Sequence, residues 1–264
     1  MAYGLLEWAK GVVGMLNDKY FDTFTMFTWE HYIPVLIVLF IVALIFFFRQ
    51  SLIESKSKYT IGLILVGVTL GLEILINMWR VYAGAWSVTT SLPLHLSSFS
   101  AYLSMYLLLT RRQKLFNVTF FLMMIGALLA LVTPGIQGNW GFPHFRYFQF
   151  FAIHGMLVIN VAYMLFVYQF SEAIRYKHIW LNALSLLVLA AILFPLNLIL
   201  DSNYLFLMAK PGPNTAFDLF GPWPWYLINI AWAGVPIFFH LFYVPFYLAQ
   251  KHDKSAVTRV KSEI

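Results

Sequence analysis

Seven long apolar stretches recur along this chain, at roughly 32–48, 59–79, 92–110, 115–133, 149–170, 179–200 and 224–248. Each approaches the ~20 apolar residues that a helix needs to cross a bilayer. Lipid offers no hydrogen bonds to the backbone, so only helices and closed barrels span it. These stretches are roughly twice the length of a barrel strand, which runs about 9–11 residues. Composition matters because it sets the solvent: 61% of the 264 residues are apolar and 11% charged, against about 25% charged in soluble domains. Mean hydropathy is +0.76. A water-soluble domain, a disordered chain and a nucleic-acid reader are excluded. The chain has no cysteine, so disulfides, Cys-ligated metals and a Cys nucleophile are excluded too. None of the stretches has the short apolar core and small-residue cleavage site of a signal peptide. The expectation is an all-α, single-domain polytopic membrane bundle of seven transmembrane helices.

The sequence ahead of residue 32 differs. Leu5, Leu6, Trp8, Val12, Val13, Leu16 and Tyr20 recur at helical spacing among Glu7, Lys10, Asp18 and Lys19, as in a helix lying in the bilayer surface. This divides the chain into an amphipathic segment and linker (1–31), the bundle (32–248) and a basic tail (249–264). Basic residues orient it. Arg49, Lys56 and Lys58, then Arg111, Arg112 and Lys114, then Arg175 and Lys177, then Lys251, Lys254, Arg259 and Lys261 fall in alternate connections and at the C-terminus. By the positive-inside rule the N-terminus is outside and the C-terminus inside. The outer connection from about 201 to 223 is long and rich in Pro and Gly, as functional loops often are.

Ionisable groups within spans are costly, and each is a functional hypothesis. Here their depth is shared. Glu73, Asn77 and Arg80 sit on one face in the outer half of the second span. His95, Ser97, Ser98 and Ser100 open the third. Arg146 and His154 lie early in the fifth, Asn197 and Asp201 end the sixth with Asn203 and Tyr204 following, and Tyr226 and Asn229 begin the seventh. This predicts a polar cavity in the outer leaflet. Each residue also has a bland reading. Serines in membrane helices commonly bond the carbonyl four residues back, Glu73 and Arg80 can be a structural ion pair, and Lys210 can simply be solvated. His31, His144, His178 and His252 fall in loops or at span ends and are set aside.

Three chemistries suit the set. In acyl transfer, Ser97 or Ser98 is the nucleophile, His154 the general base, and Glu73 or Asp201 the group that orients the imidazole. His95, Asn77 or Asn203 would hold the oxyanion. In a metal site, Glu73, His95 and His154 would bind zinc and leave one position for water, although three separate helices give no local motif. In binding without chemistry, Arg80, Arg146 and Lys210 would hold a lipid phosphate, with Asn197, Tyr204 and Asn229 lining the pocket of a flippase, carrier or lipid-binding scaffold. No P-loop and no G-x-G-x-x-G occurs, so no soluble cofactor is expected.

Leu92-Pro93-Leu94-His95-Leu96, Thr133-Pro134-Gly135, Phe151-Ala152-Ile153-His154-Gly155, Asn203-Tyr204-Leu205-Phe206-Leu207 with Lys210-Pro211, and Gly221-Pro222-Trp223-Pro224-Trp225-Tyr226 together resemble the YwaF family of bacterial integral membrane proteins, from the second span to the seventh. That family is similar to a mammalian TMEM-type cysteine acyltransferase of ether-phospholipid remodelling. It is more distantly similar to androgen-induced membrane hydrolases of fatty-acid esters, which use a Thr and a His. The resemblance implies a lipid acyltransferase or esterase of the bacterial cytoplasmic membrane, with membrane phospholipids or lysophospholipids as partners and the His role carried onto His154. Bacterial relatives often read LPLHLC. Ser97 stands where that Cys would be, and a hydroxyl holds its proton far more tightly than a thiol. The alternative remains a non-enzymatic phospholipid-binding or transport protein.

Overall fold

The computed structural model describes residues 14–16, 23–136, 140–211 and 215–262. Most of the expected surface helix before residue 23 lies outside the described residues. Among those described there is no strand. Seven helices build the bundle: α1 Trp29–Phe47, α2 Lys58–Tyr82, α3 Leu96–Thr110, α4 Gln113–Val132, α5 Phe145–Phe166, α6 Lys177–Leu200 and α7 Trp225–His252. The last continues in backbone to Ser262, so the expected basic tail is largely an extension of α7.

Six of these helices are long and apolar enough to cross a membrane, and α3, with 15 residues, is shorter. The expected third span began at residue 92. Instead Leu92–His95 forms turns ahead of the helix, because Pro93 supplies no N–H and biases its predecessor away from helical backbone. The cost of that unwound backbone is offset inside the protein, where the hydroxyl of Tyr204 accepts the Leu92 N–H at 3.1 Å.

α5 is the centre. It packs against α1, α2, α3 and α4 and is buried over most of its length. The apolar faces of α1 and α6 point outward, with Phe47 75% and Ile199 79% exposed. Side chains this apolar and this exposed, on so many helices, suit lipid rather than water. The chain is a multi-pass membrane protein.

Polar side chains in the apolar interior join helices. The Asn160 amide on α5 donates to Thr69 on α2 and Ser104 on α3, both at 3.0 Å. On α6, Asn182 takes the N–H groups of Phe121 and Leu122 and donates to the Asn117 carbonyl, wedging its amide into the α4 backbone ladder. Close approach of α1 and α5 depends on Gly155, where a Cβ would stand 2.5 Å from Val38 Cγ2. In α7, Pro236 brings no N–H to the Trp232 carbonyl. The chain widens to a π turn over Ile230–Gly234 just before it.

Candidate functional site

Four antiparallel helices bring their ends to one cavity of about 520 Å³. α2 contributes Glu73, Ile76 and Arg80. The α3 start contributes His95, Leu96, Ser97 and Ser98. α4 contributes Ile125, Gly126 and Leu129, and α5 contributes Arg146, Gln149, Ile153 and His154. Leu205, Phe206, Pro211 and Phe217 of the connection between α6 and α7 close over it.

His154 is the best-defined polar group. It is 9% exposed, and its Nδ1 lies 2.7 Å from the Phe150 carbonyl one turn back. A carbonyl can only accept, so Nδ1 carries the proton and Nε2 of the neutral ring is an acceptor. No group among the described residues bonds Nε2. The Phe150 ring, 4.4 Å away between centroids, holds the imidazole in place. The orienting group is therefore a backbone carbonyl, and the expected Glu73 or Asp201 does not fill that role. Asp201 is an exposed left-handed residue ending α6 and does not line the cavity. Ser97 and Ser98 form no side-chain hydrogen bond among the described residues, unlike Ser104, whose hydroxyl is turned to Ala101 O at 2.8 Å. His95 packs between the rings of Tyr204 and Phe206 at 5.2 and 4.9 Å, and its buried Nδ1 has no hydrogen-bond partner.

Charge in the cavity is unbalanced. Arg80 and Arg146 line it and neither pairs with a carboxylate among the described residues. Glu73 is buried without an ion pair of its own, so the expected Glu73–Arg80 bridge is not formed. Arg80 reaches the Ser91 carbonyl at 3.5 Å. Arg146 lies between the rings of Trp79 and Trp140, 5.7 and 5.2 Å from their centroids, and donates to Gln149 Oε1. Its helix is capped by His144, whose Nδ1 accepts the Arg146 N–H.

The other predicted site residues serve the loop over the cavity or its neighbours and do not line it. Asn197 grips Tyr204 through its amide (N–H to Oδ1 2.8 Å, Nδ2 to O 2.9 Å) and accepts from Ser202. Tyr204 in turn donates to Val88 O at 2.6 Å. Asn203 accepts the N–H groups of Met208 and Ala209, and Asn229 donates to Phe220 O. Asn77 bonds its own helix and Trp86, and neither it nor Asn203 lines the cavity, so neither is placed to hold an oxyanion there. Lys210 pairs with Asp218 at 3.0 Å on the surface and does not reach into the pocket. The zinc alternative fares no better: among the described residues no three His, Cys, Asp or Glu side chains are grouped to hold a metal ion. Sequence reasoning missed Gln149 and Gly126. Gln149 carries a signal, three residues after Arg146 on the same helix face. Gly126 carries none, because its role depends on what packs against it.

No curated protein and no solved structure matches the chain. One family profile does, aligning to residues 26–242, from just before α1 into α7 and across the whole cavity. The chain belongs to the TMEM164 family.

Proposed function

We propose that this protein is a membrane-embedded lipid acyltransferase or lipid esterase acting on phospholipid acyl chains. The observation that carries the reading is the His154 ring, proton fixed on Nδ1 by Phe150 O and Nε2 without a partner among the described residues, in a cavity that Ser97 and Ser98 also line. A hydroxyl is a poor nucleophile until a base takes its proton, and a neutral imidazole with an open Nε2 is such a base. Ser97 is the proposed nucleophile and Ser98 the second candidate. Arg80 and Arg146, which form no salt bridge among the described residues, suit a phosphodiester headgroup. The resemblance to the bacterial YwaF proteins, and through them to a lipid acyltransferase, supports the same assignment. With it go a bacterial cytoplasmic membrane, an N-terminus outside, and a cavity in the outer leaflet.

The test is lipid mass spectrometry on the protein in nanodiscs of defined phospholipids and lysophospholipids, comparing the native chain, His154→Ala and Ser97→Cys. The expected result is time-dependent free fatty acid, lysolipid or exchanged acyl chains, lost in His154→Ala. Turnover confined to Ser97→Cys would mark position 97 as a thiol site. Intact esters in every version, with one lipid class retained, would overturn the assignment in favour of a phospholipid-binding or transport protein.

A further inference from the structure

Three backbone donors open the cavity end of α3. His95, its cap residue, is extended (φ −70°, ψ 149°), and its side chain caps nothing. The first bond of the helix runs from Phe99 N–H to His95 O, which leaves the N–H groups of Leu96, Ser97 and Ser98 without an acceptor among the described residues. All three residues line the cavity. These N–H groups point out of the helix start, where the macrodipole adds the equivalent of roughly half a positive charge. Gly126 keeps the approach open. A Cβ there would lie 3.1 Å from Leu96 Cγ and 3.4 Å from Ser97 N, so α4 passes close to the start of α3 and a side chain at 126 would have to push Leu96 aside by a few tenths of an ångström.

An independent group on another helix marks the same place as a ligand site. His154 is nine-tenths buried at 9% exposure, lines the cavity and has no partner for Nε2 among the described residues. A set of donors and one buried base facing a shared space suit a reacting group that gives up a proton while an oxygen gains charge.

We infer that the first turn of α3 is the oxyanion hole of the acyl-transfer reaction, with the N–H groups of Leu96, Ser97 and Ser98 as its donors. This rests on the acyl-transfer reading above. Ser97 Oγ bonds to the ester carbonyl carbon, and its proton passes to His154 Nε2. The carbonyl π pair moves onto the oxygen, which the α3 donors receive. The oxygen then re-forms the double bond. The bond to the glycerol oxygen breaks, and that oxygen takes the proton from His154. An acyl-serine and a lysophospholipid result, and water or a second lysophospholipid hydroxyl reverses the sequence.

Proline tests this without touching a reacting side chain. Leu96 is the first helical residue, where proline is well tolerated. Its predecessor His95 is already extended, as the residue before proline must be. Leu96→Pro therefore deletes one donor, while Leu96→Ala removes the same side chain and keeps the N–H. The readouts are turnover in nanodiscs and affinity for an acyl trifluoromethyl ketone analogue of a lysophospholipid, whose adduct places an alkoxide in the hole. Loss of one such donor costs on the order of 100-fold in turnover. Leu96→Pro is expected to fall by about that factor below Leu96→Ala and to bind the ketone correspondingly more weakly, with phospholipid retention equal in the two. Equal turnover and equal ketone affinity would overturn the inference. Should Leu96→Pro fail to fold, Gly126→Ala decides. Its methyl group presses on Leu96 at 3.1 Å and fills the space beside the Ser97 N–H, and it is expected to lower turnover and ketone affinity while lipid retention persists; unchanged values overturn the hole. A native chain and a Ser97→Cys chain that both leave esters intact would instead defeat the acyl-transfer reading itself.

Discussion

The side chains at the cavity divide into those with a free polar atom and those whose polar atoms hold the protein together. His154 belongs to the first group and Asn197 to the second, although both are buried. This difference predicts opposite phenotypes. His154→Ala is expected to lower turnover by at least 10²–10⁴-fold, the usual contribution of a general base, with little change in thermal stability. That pair of values is read from lipid mass spectrometry and a melting curve. Asn197→Ala strands the Tyr204 N–H and carbonyl and the Ser202 hydroxyl. It is expected to cost about 1–3 kcal/mol, seen as a lower Tm, whatever it does to activity. A His154→Ala protein that melts early and an Asn197→Ala protein that does not would reverse the assignment. Lys210→Ala is expected to do neither, because an exposed pair with Asp218 is worth at most about 1 kcal/mol.

Elements meet through small residues and single amides. α1 lies on α5 because Gly155 leaves room for Val38. Gly155→Ala is expected to destabilise by about 1–3 kcal/mol, the range for overpacking a well-filled contact. Adding Val38→Ala should restore much of that, because the two residues share one contact and their effects do not add. The double-mutant cycle in detergent or nanodiscs checks it; strictly additive losses would mean the contact is not what limits the approach. The polar link of Asn160 with Thr69 and Ser104 is expected to behave like other interhelical bonds in membranes. Asn160→Leu should cost about 0.6–2 kcal/mol. The sequence shows Asn160 as a rare amide in an apolar span, but its two hydroxyl partners lie 91 and 56 residues away, beyond any local pattern.

For the whole molecule, orientation is the open quantity with the most direct test. The chain has no cysteine, so one introduced cysteine is unique. Leu219 is 84% exposed on the cavity side, and Lys56 is exposed at the opposite end. With the cavity in the outer leaflet, a membrane-impermeant maleimide applied to intact cells is expected to label Leu219→Cys and to spare Lys56→Cys until the membrane is opened. The reverse pattern would invert the topology and move the proposed lipid chemistry to the inner leaflet.

Solvent and secondary structure were legible in the residues alone. Lipid must surround a chain so apolar, and backbone hydrogen bonds with no water to compete make helices of its long apolar runs. The shared depth of Glu73, Arg80, His95, Ser97, Ser98, Arg146 and His154 was legible for the same reason: in antiparallel spans, position along the chain converts to depth at 1.5 Å per residue. Depth says nothing about which way a side chain turns around its helix. Only the tertiary structure decided that Asn197, Asn203, Tyr204 and Asn229 spend their polar atoms on the loop, that Glu73 and Arg80 form no salt bridge, and that Phe150 O takes the orienting role. It also decided the shortening of α3, where Pro93 and the distant Tyr204 together allow unwound backbone in the interior. Hydrophobic burial is a property of each residue and adds up along the sequence. Hydrogen-bond partnership is a property of pairs, and pairs form only when the chain has folded.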